Sequence, residues 1–392
     1  MQKSIYLDNA ATTRVNPVVL ETMKVYCDEY YANPSSLHSQ GREARMAIEK
    51  VREQVAELLG ADPQDIIFTS GGTESDNLAI FGCAYANRKK GNHIITSKIE
   101  HHAILNSCTV LEKQGFETAY LPVDKYGRVI VYEFKKALRK DTILVSVMHS
   151  NNEVGTIQPV DEIADICHSK GILFHTDAVQ SIGKIKFNLA ESNINLLSLT
   201  AHKFYGPKGV GVLYIRKGTK IVPMQYGGHH EFKRRAGTEN TPGIMGLAKA
   251  MEVAYAKLDE TNKRIAHLRD KLQKGITDNI EDVQINGSVE HGLSHILNVS
   301  FNYVEGEAIL LNLDTHGICV SAGSACTSES LEPSHVLAAM GVPADVARGA
   351  IRFSLGTENT EEEIDFTVKT LIKVIQRLRD MSPVGKGKYK SM

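Results

Sequence analysis

Several short apolar runs in this chain end in residues with chemical potential. NLLSLT (195–200) is followed by His202 and Lys203. An amine at such a strand end can form a Schiff base with a carbonyl once partial desolvation removes its proton, although a lysine there can also be simply solvated. ILFHT (172–176) leads into Asp177, where a carboxylate can keep a heterocyclic nitrogen such as pyridinium protonated, or can cap a helix. IIFTS (66–70) is followed by Gly71, Gly72 and Thr73. Two glycines let the backbone approach a ligand, and the free N–H groups of a helix starting there favour an anion; a plain turn and cap reads the same way. Thr200 and His202 could donate to that anion. HIITS (93–97) precedes His101 and His102, and an imidazole can stack on a flat heterocycle and move protons near neutral pH.

A nucleophile stands in a different setting. SAGSACTSESLEP (321–333) is small and polar, too poor in apolar surface to pack as core, and carries Cys326 in its middle. An exposed thiol there is useful for its reactivity. Cys27, Cys83, Cys108, Cys167 and Cys319 are expected as buried small hydrophobes. No CxxC spacing supports a disulfide framework or structural zinc, no HExxH pair is present, and neither a Walker A loop nor a GxGxxG follows any strand.

These residues need a scaffold. From about 36 to 216 the apolar runs, including ILVSVM (143–148) and VGVLYI (210–215), alternate with helical patterns, which implies α/β architecture with a mainly parallel sheet. Ligands then gather at the carboxyl ends of the strands. After TPG (241–243) come a long helical stretch to about 281, strand-like ILNVSF (296–301), a helix near 306–316, strand-like AIRFSL (350–355) and a charged helix from about 360 to 380. This reads as a large domain, 16–255, and a smaller α+β domain formed by 1–15 and 256–392 that carries the Cys326 loop. At 392 residues the chain is too long for one ordinary core. Its 42% hydrophobic and 23% charged composition is globular, and a net charge of −1 offers no general attraction to nucleic acid or anionic membranes. With no signal-like start and no run of about 18 apolar residues, a cytoplasmic protein is expected.

Ten motifs in order carry a resemblance: YLDNAATT (6–13), SGGTESDN (70–77), SKIEHHAI (97–104), MHSNNEVG (148–155), HTDAVQS (175–181), AHKFYGPKG (201–209), RRAGTENT (234–241), SAGSACTS (321–328), LEPSHVL (331–337) and RFSLG (352–356). Over essentially the whole chain the sequence resembles the NifS/IscS family of cysteine desulfurases, enzymes of the aspartate-aminotransferase fold (fold type I) that depend on pyridoxal 5'-phosphate. The resemblance implies Lys203 as the lysine bonded to the cofactor, Asp177 against its pyridine nitrogen, and His101 stacked on the ring and serving proton transfer. It implies Gly72, Thr73, Thr200 and His202 on the phosphate, and Asn152 and Gln180 at the ring and its hydroxyl. Thr238 would complete the phosphate site of a second subunit, so a homodimer is expected. Arg352, with Asn152, would bind the α-carboxylate of L-cysteine, a task suited to a planar guanidinium.

By the same resemblance, the Cys326 thiolate attacks the substrate sulfur, leaves as a persulfide and frees alanine. The sulfur then passes to acceptors, chiefly an iron–sulfur scaffold protein. No resident metal is expected, Cys326 apart as a transient ligand of a transferred cluster. Ala322 stands where many relatives have serine, and the short basic tail SPVGKGKYKSM leaves the acceptor unidentified. Two other readings remain at this point: a related enzyme such as selenocysteine lyase or an aminotransferase, and a sulfur-relay scaffold without turnover.

Overall fold

The computed structural model describes residues 4–288, 290–322 and 334–381. Strand β1 (Ile5–Tyr6) is followed by the seven strands of the main sheet: β2 (Ile66–Thr69), β3 (His93–Ser97), β4 (Glu117–Leu121), β5 (Thr142–Ser146), β6 (Leu173–Asp177), β7 (Leu196–Thr200) and β8 (Gly211–Ile215). Their spatial order is β2-β8-β7-β6-β5-β3-β4. All neighbours pair in parallel except β8, which runs against both β2 and β7. The carboxyl ends of β2, β3, β5, β6 and β7 therefore share one edge, and every candidate cofactor residue except Thr238 lies at or just beyond it. All residues of β2, β3, β5, β7 and β8 are buried, as expected of strands covered on both faces by helices.

Five further strands follow: β9 (Val283–Asn286), β10 (Ile296–Phe301), β11 (Ile318–Cys319), β12 (Ser321–Ala322) and β13 (Ala350–Ser354). An antiparallel sheet of order β12-β13-β10-β9 stands apart from the main one, while β1 pairs in parallel with β11. One apolar cluster joins Leu7 to Leu272 and Ile276 of the helix Leu258–Asn279, to Val299 and Phe353 of the sheet, and to Leu371 of the helix Glu361–Met381. The segment carrying Val336, Leu337, Met340 and Ala350 packs instead with the large cluster around the main sheet.

Some sequence expectations shift. The long helical stretch is two helices, Thr241–Ala256 and Leu258–Asn279, broken at Lys257, whose φ/ψ of −129°/29° is not helical. Strand β4 was not foreseen. Cys83, Cys108 and Cys167 are buried, but Cys27 is exposed near the end of the helix Pro17–Asp28 and Cys319 is only partly covered, because each sits on the open side of its element. Cys326 lies outside the described residues. Among the described residues no helix is long and apolar enough to cross a membrane.

Candidate active site

Lys203 ends the single 3-10 turn Ala201–Lys203 that follows β7. Its Nζ donates to the carbonyls of Ala10 and Ala11, both at 2.7 Å. Gln180 Nε2 donates to the same Ala10 carbonyl at 2.9 Å, while the buried Gln180 Oε1 has no partner. The segment from Leu7 to Thr13 is thus a shared wall. Thr13 Oγ1 donates to the His202 carbonyl at 3.0 Å, and Thr12 Oγ1 lies 3.1 Å from His202 Nδ1. On its other side Ala10 N donates to Ser354 Oγ at 2.9 Å, and Asp8 Oδ1 accepts from Arg352 Nη2 at 2.7 Å.

Asp177 is the last residue of β6 and is 6% exposed. Its Oδ1 accepts from Val179 N at 2.9 Å. Burial pushes its carboxyl up to about 6, against the opposing pull of that N–H and of the Lys203 charge. Beneath it, His175 is sealed in, with Nδ1 2.9 Å from Ser146 Oγ and Nε2 3.0 Å from Ser198 Oγ. Burial drives this imidazole down to about 3, so it is neutral. Nearby Asp76 is raised well above the carboxylate range by burial and then by the Asp177 charge. Of the two carboxyl groups, Asp177 is held nearer the ordinary carboxylate range and ionises first.

His101 caps the helix His102–Glu112, its Nδ1 accepting from Ala103 N at 3.1 Å. That bond leaves the proton on Nε2. Burial, with the Lys203 charge second, pushes His101 down to about 4, and the same causes push His202 to about 4. His102 turns away and packs on His335, with ring centroids 4.9 Å apart.

The helix Gly72–Asn87 begins at Gly71 with no side-chain cap, so its first N–H groups are open to an anion. The turn is tight: a Cβ on Gly211 would meet Gly71 Cα at 2.8 Å, and one on Gly72 would meet Val179 Cγ2 at 2.8 Å. Gly71 adopts φ 153°, a conformation open to glycine. Thr200 stands against this start, with Oγ1 3.6 Å from where a Gly71 Cβ would be, and itself donates to the Val210 carbonyl. Thr73 is exposed on the first turn and Asn152 is partly buried, its carbonyl accepting from Arg352 Nη1 at 3.0 Å. Thr238 is exposed in the loop before the helix Thr241–Ala256.

Sequence reasoning missed three acids. Asp8 pairs with Arg352 across 344 residues. Glu100, one residue before His101, is buried with both oxygens near Met148 N, and burial raises it to about 8. Glu153 accepts from Ser334 Oγ at 2.5 Å, and burial raises it to about 7 despite the Arg352 charge. The only signal for Asp8 and Glu100 was their place within YLDNAATT and SKIEHHAI.

Known proteins resemble this chain over nearly its whole length. The model of the class-V aminotransferases matches residues 5–366. A cysteine desulfurase IscS of Dictyoglomus turgidum is 54% identical over 98% of this chain and 97% of its own length. A solved NifS-like protein superposes with a TM-score of 0.91 at 44% identity, covering 96% of this chain and 100% of that one. Another, SspA in complex with cysteine, does so at 0.79 and 38%, covering 90% and 99%.

The chain belongs to the class-V aminotransferase family, as a cysteine desulfurase. Its cofactor is pyridoxal phosphate and its substrate is cysteine. The residues at the sheet edge fit that cofactor. The open helix start suits a phosphate, the buried Gln180 Oε1 awaits a donor, and Asp177 is the more readily ionised of the two buried carboxyls. Among the described residues no cluster of three or more His, Cys, Asp or Glu could hold a metal ion.

Proposed function

We propose that Lys203 holds the cofactor covalently and that Cys326 receives the sulfur of L-cysteine as a persulfide. The observation that carries the reading is the bridge at Ala10. Lys203 and Gln180 share its carbonyl, while Asp8, two residues earlier, holds Arg352. One short segment, a bridge residue and the turn after it, thereby links the amine that would hold the cofactor to the guanidinium that would hold the substrate.

In this reading Gly72, Thr73, Thr200 and His202 bind the phosphate, and Thr238 of a second copy completes that site in a homodimer. Asp177 keeps the ring nitrogen protonated, and Gln180 with Asn152 bonds the ring hydroxyl. Bound pyridoxal phosphate supplies an electron sink for the pair released at the substrate α-carbon. Arg352 and Asn152 orient the α-carboxylate. His101, neutral with its proton on Nε2, stacks on the ring and passes protons through that atom. The Cys326 thiolate attacks the substrate sulfur; the S–S bond forms as Cβ–S breaks, the electron pair stays with carbon, and a proton completes alanine. The persulfide then passes to a protein acceptor, chiefly an iron–sulfur scaffold. The large and small domains of this enzyme are 16–255 and 1–15 with 256–392, a division supported by the apolar cluster that ties Leu7 to residues beyond 264.

Borohydride reduction followed by peptide mapping tests the central assignment. The reduced B6 group is expected on Lys203, and finding it on another lysine overturns the reading.

A further inference from the structure

Arg352 lies in the middle of β13 and is 4% exposed. Its contacts leave a gap. Nη1 donates to the Asn152 carbonyl at 3.0 Å and Nη2 to Asp8 Oδ1 at 2.7 Å, but the buried Nε has no partner. A buried guanidinium N–H without an acceptor costs free energy, so this guanidinium is under-satisfied with Asp8 and Asn152 as its only bonded partners among the described residues. Asp8 is no accidental neighbour. Leu7 N donates to the Cys319 carbonyl and Asn9 N to the Ser354 carbonyl, both backbone bonds, so the residue between is held on each side.

Two acids act on Arg352, and they differ in kind. Glu153 is buried, hydrogen-bonded to Ser334, and raised by burial to about 7, so at neutral pH it is a partial counter-ion. Asp8 has a fifth of its side chain exposed and touches the guanidinium directly. Asp8 is therefore the formal counter-ion of the site before any substrate arrives.

We propose that Asp8 limits the affinity of the carboxylate site: substrate and product bind Arg352 beside a resident carboxylate that repels them. Two terms act in the same direction. The Asp8 charge opposes a second carboxylate on one guanidinium. Its pairing also stabilises Arg352 in the ligand-free state, which lowers the gain from binding. The functional return is release of alanine, which carries the same α-carboxylate as cysteine and would otherwise stay on Arg352. This rests on the reading of Arg352 as the carboxylate site.

The test is titration calorimetry of the pyridoxal-phosphate-loaded protein with L-alanine and with propionate, which carries the carboxylate alone. Asp8→Asn keeps a side-chain oxygen on Nη2 and removes the charge. It is expected to bind both probes roughly tenfold more tightly, within the range of one charge-assisted bond. In steady state it should lower KM for cysteine and strengthen inhibition by alanine. Asp8→Glu keeps the charge and is expected not to tighten either probe. A merely structural Asp8 would give weaker binding in both variants, so a gain in affinity separates the two roles. Unchanged or weaker binding in Asp8→Asn overturns the proposal. Arg352→Gln is the control for the reading beneath it: if propionate binds that variant as well as the parent, Arg352 is not the carboxylate site at all.

Discussion

Arg52 and Glu231 form a fully buried ion pair, each side chain 1% exposed, and its loss should be felt at the cofactor. The two are joined by bonds of 2.7 and 2.8 Å, Arg52 also donates to the Ile66 carbonyl at 2.7 Å, and Glu231 accepts from Phe68 N at 2.8 Å. The guanidinium lies 4.7 Å from the centre of the Phe68 ring and 5.0 Å from that of Phe232. Arg52→Met strands Glu231 with one backbone donor, which costs about 3–5 kcal/mol for a broken buried pair. Against this stands strain. Glu231, Phe232 and Lys233 have φ of 42°, 54° and 65°, a left-handed turn in non-glycine residues. At about 1–2 kcal/mol each, the turn stores roughly 3–6 kcal/mol. Unwinding the turn relieves part of that strain and carries Glu231 to water, which offsets part of the penalty, so the net loss expected is about 1–3 kcal/mol. The loop that follows holds Arg235, paired at 2.9 Å with Glu74 on the first turn of the helix Gly72–Asn87, and then Thr238. Urea unfolding followed in the far-UV should show the loss of stability, and dialysis followed at the cofactor's visible band should show weaker retention of pyridoxal phosphate. Arg52→Met with Glu231→Leu should recover more than half of the lost stability, because no buried charge is left unpaired. A single variant that loses less than about 1 kcal/mol and retains its cofactor like the parent would refute the argument.

Two further outcomes are expected. Cys326→Ala should keep the visible band of the bound cofactor and lose persulfide formation and sulfide release from cysteine; persulfide labelling that survives in this variant rules out the thiol assignment. Glu100→Gln should alter the pH dependence of stability in one direction. The folded carboxyl is raised by burial from 4.5 to about 8, so its contribution is complete below the unfolded value and is lost as pH rises through about 8. The parent should therefore lose stability relative to Glu100→Gln between pH 5 and pH 8.5, measured as the difference between their urea midpoints; parallel midpoints across that range would contradict the assignment.

How much of this was legible follows from what each residue depends on. Six of the seven main strands announce themselves as apolar runs because both their faces are buried, and the residues that end them, Asp177, Thr200 and the Gly71 turn, fall on one edge once the sheet is parallel. Strand β4 was hidden because ETAYL is an edge strand buried only at Leu121, so its composition is half polar. The reversal at β8 was readable in principle: ten residues separate Thr200 from Gly211, short of the dozen or so that a parallel crossover takes. Exposure of Cys27 depends on which side of its helix stays open, a tertiary matter. The partner of Arg352 was opaque for a deeper reason. Arg352 is meaningful only beside Asp8, and that contact exists because β1 pairs with β11 while Asp8 bridges to Ser354, bringing the first residues of the chain onto its last strand. No local pattern encodes a partner 344 residues away, so the sequence could display the guanidinium but not the charge that would govern its affinity. The residues proposed for the cofactor lie at that sheet edge, Thr238 apart, because an apolar run and the polar residue that ends it are neighbours in the chain. The contact between Arg352 and Asp8, made between opposite ends of the chain, had to be seen folded.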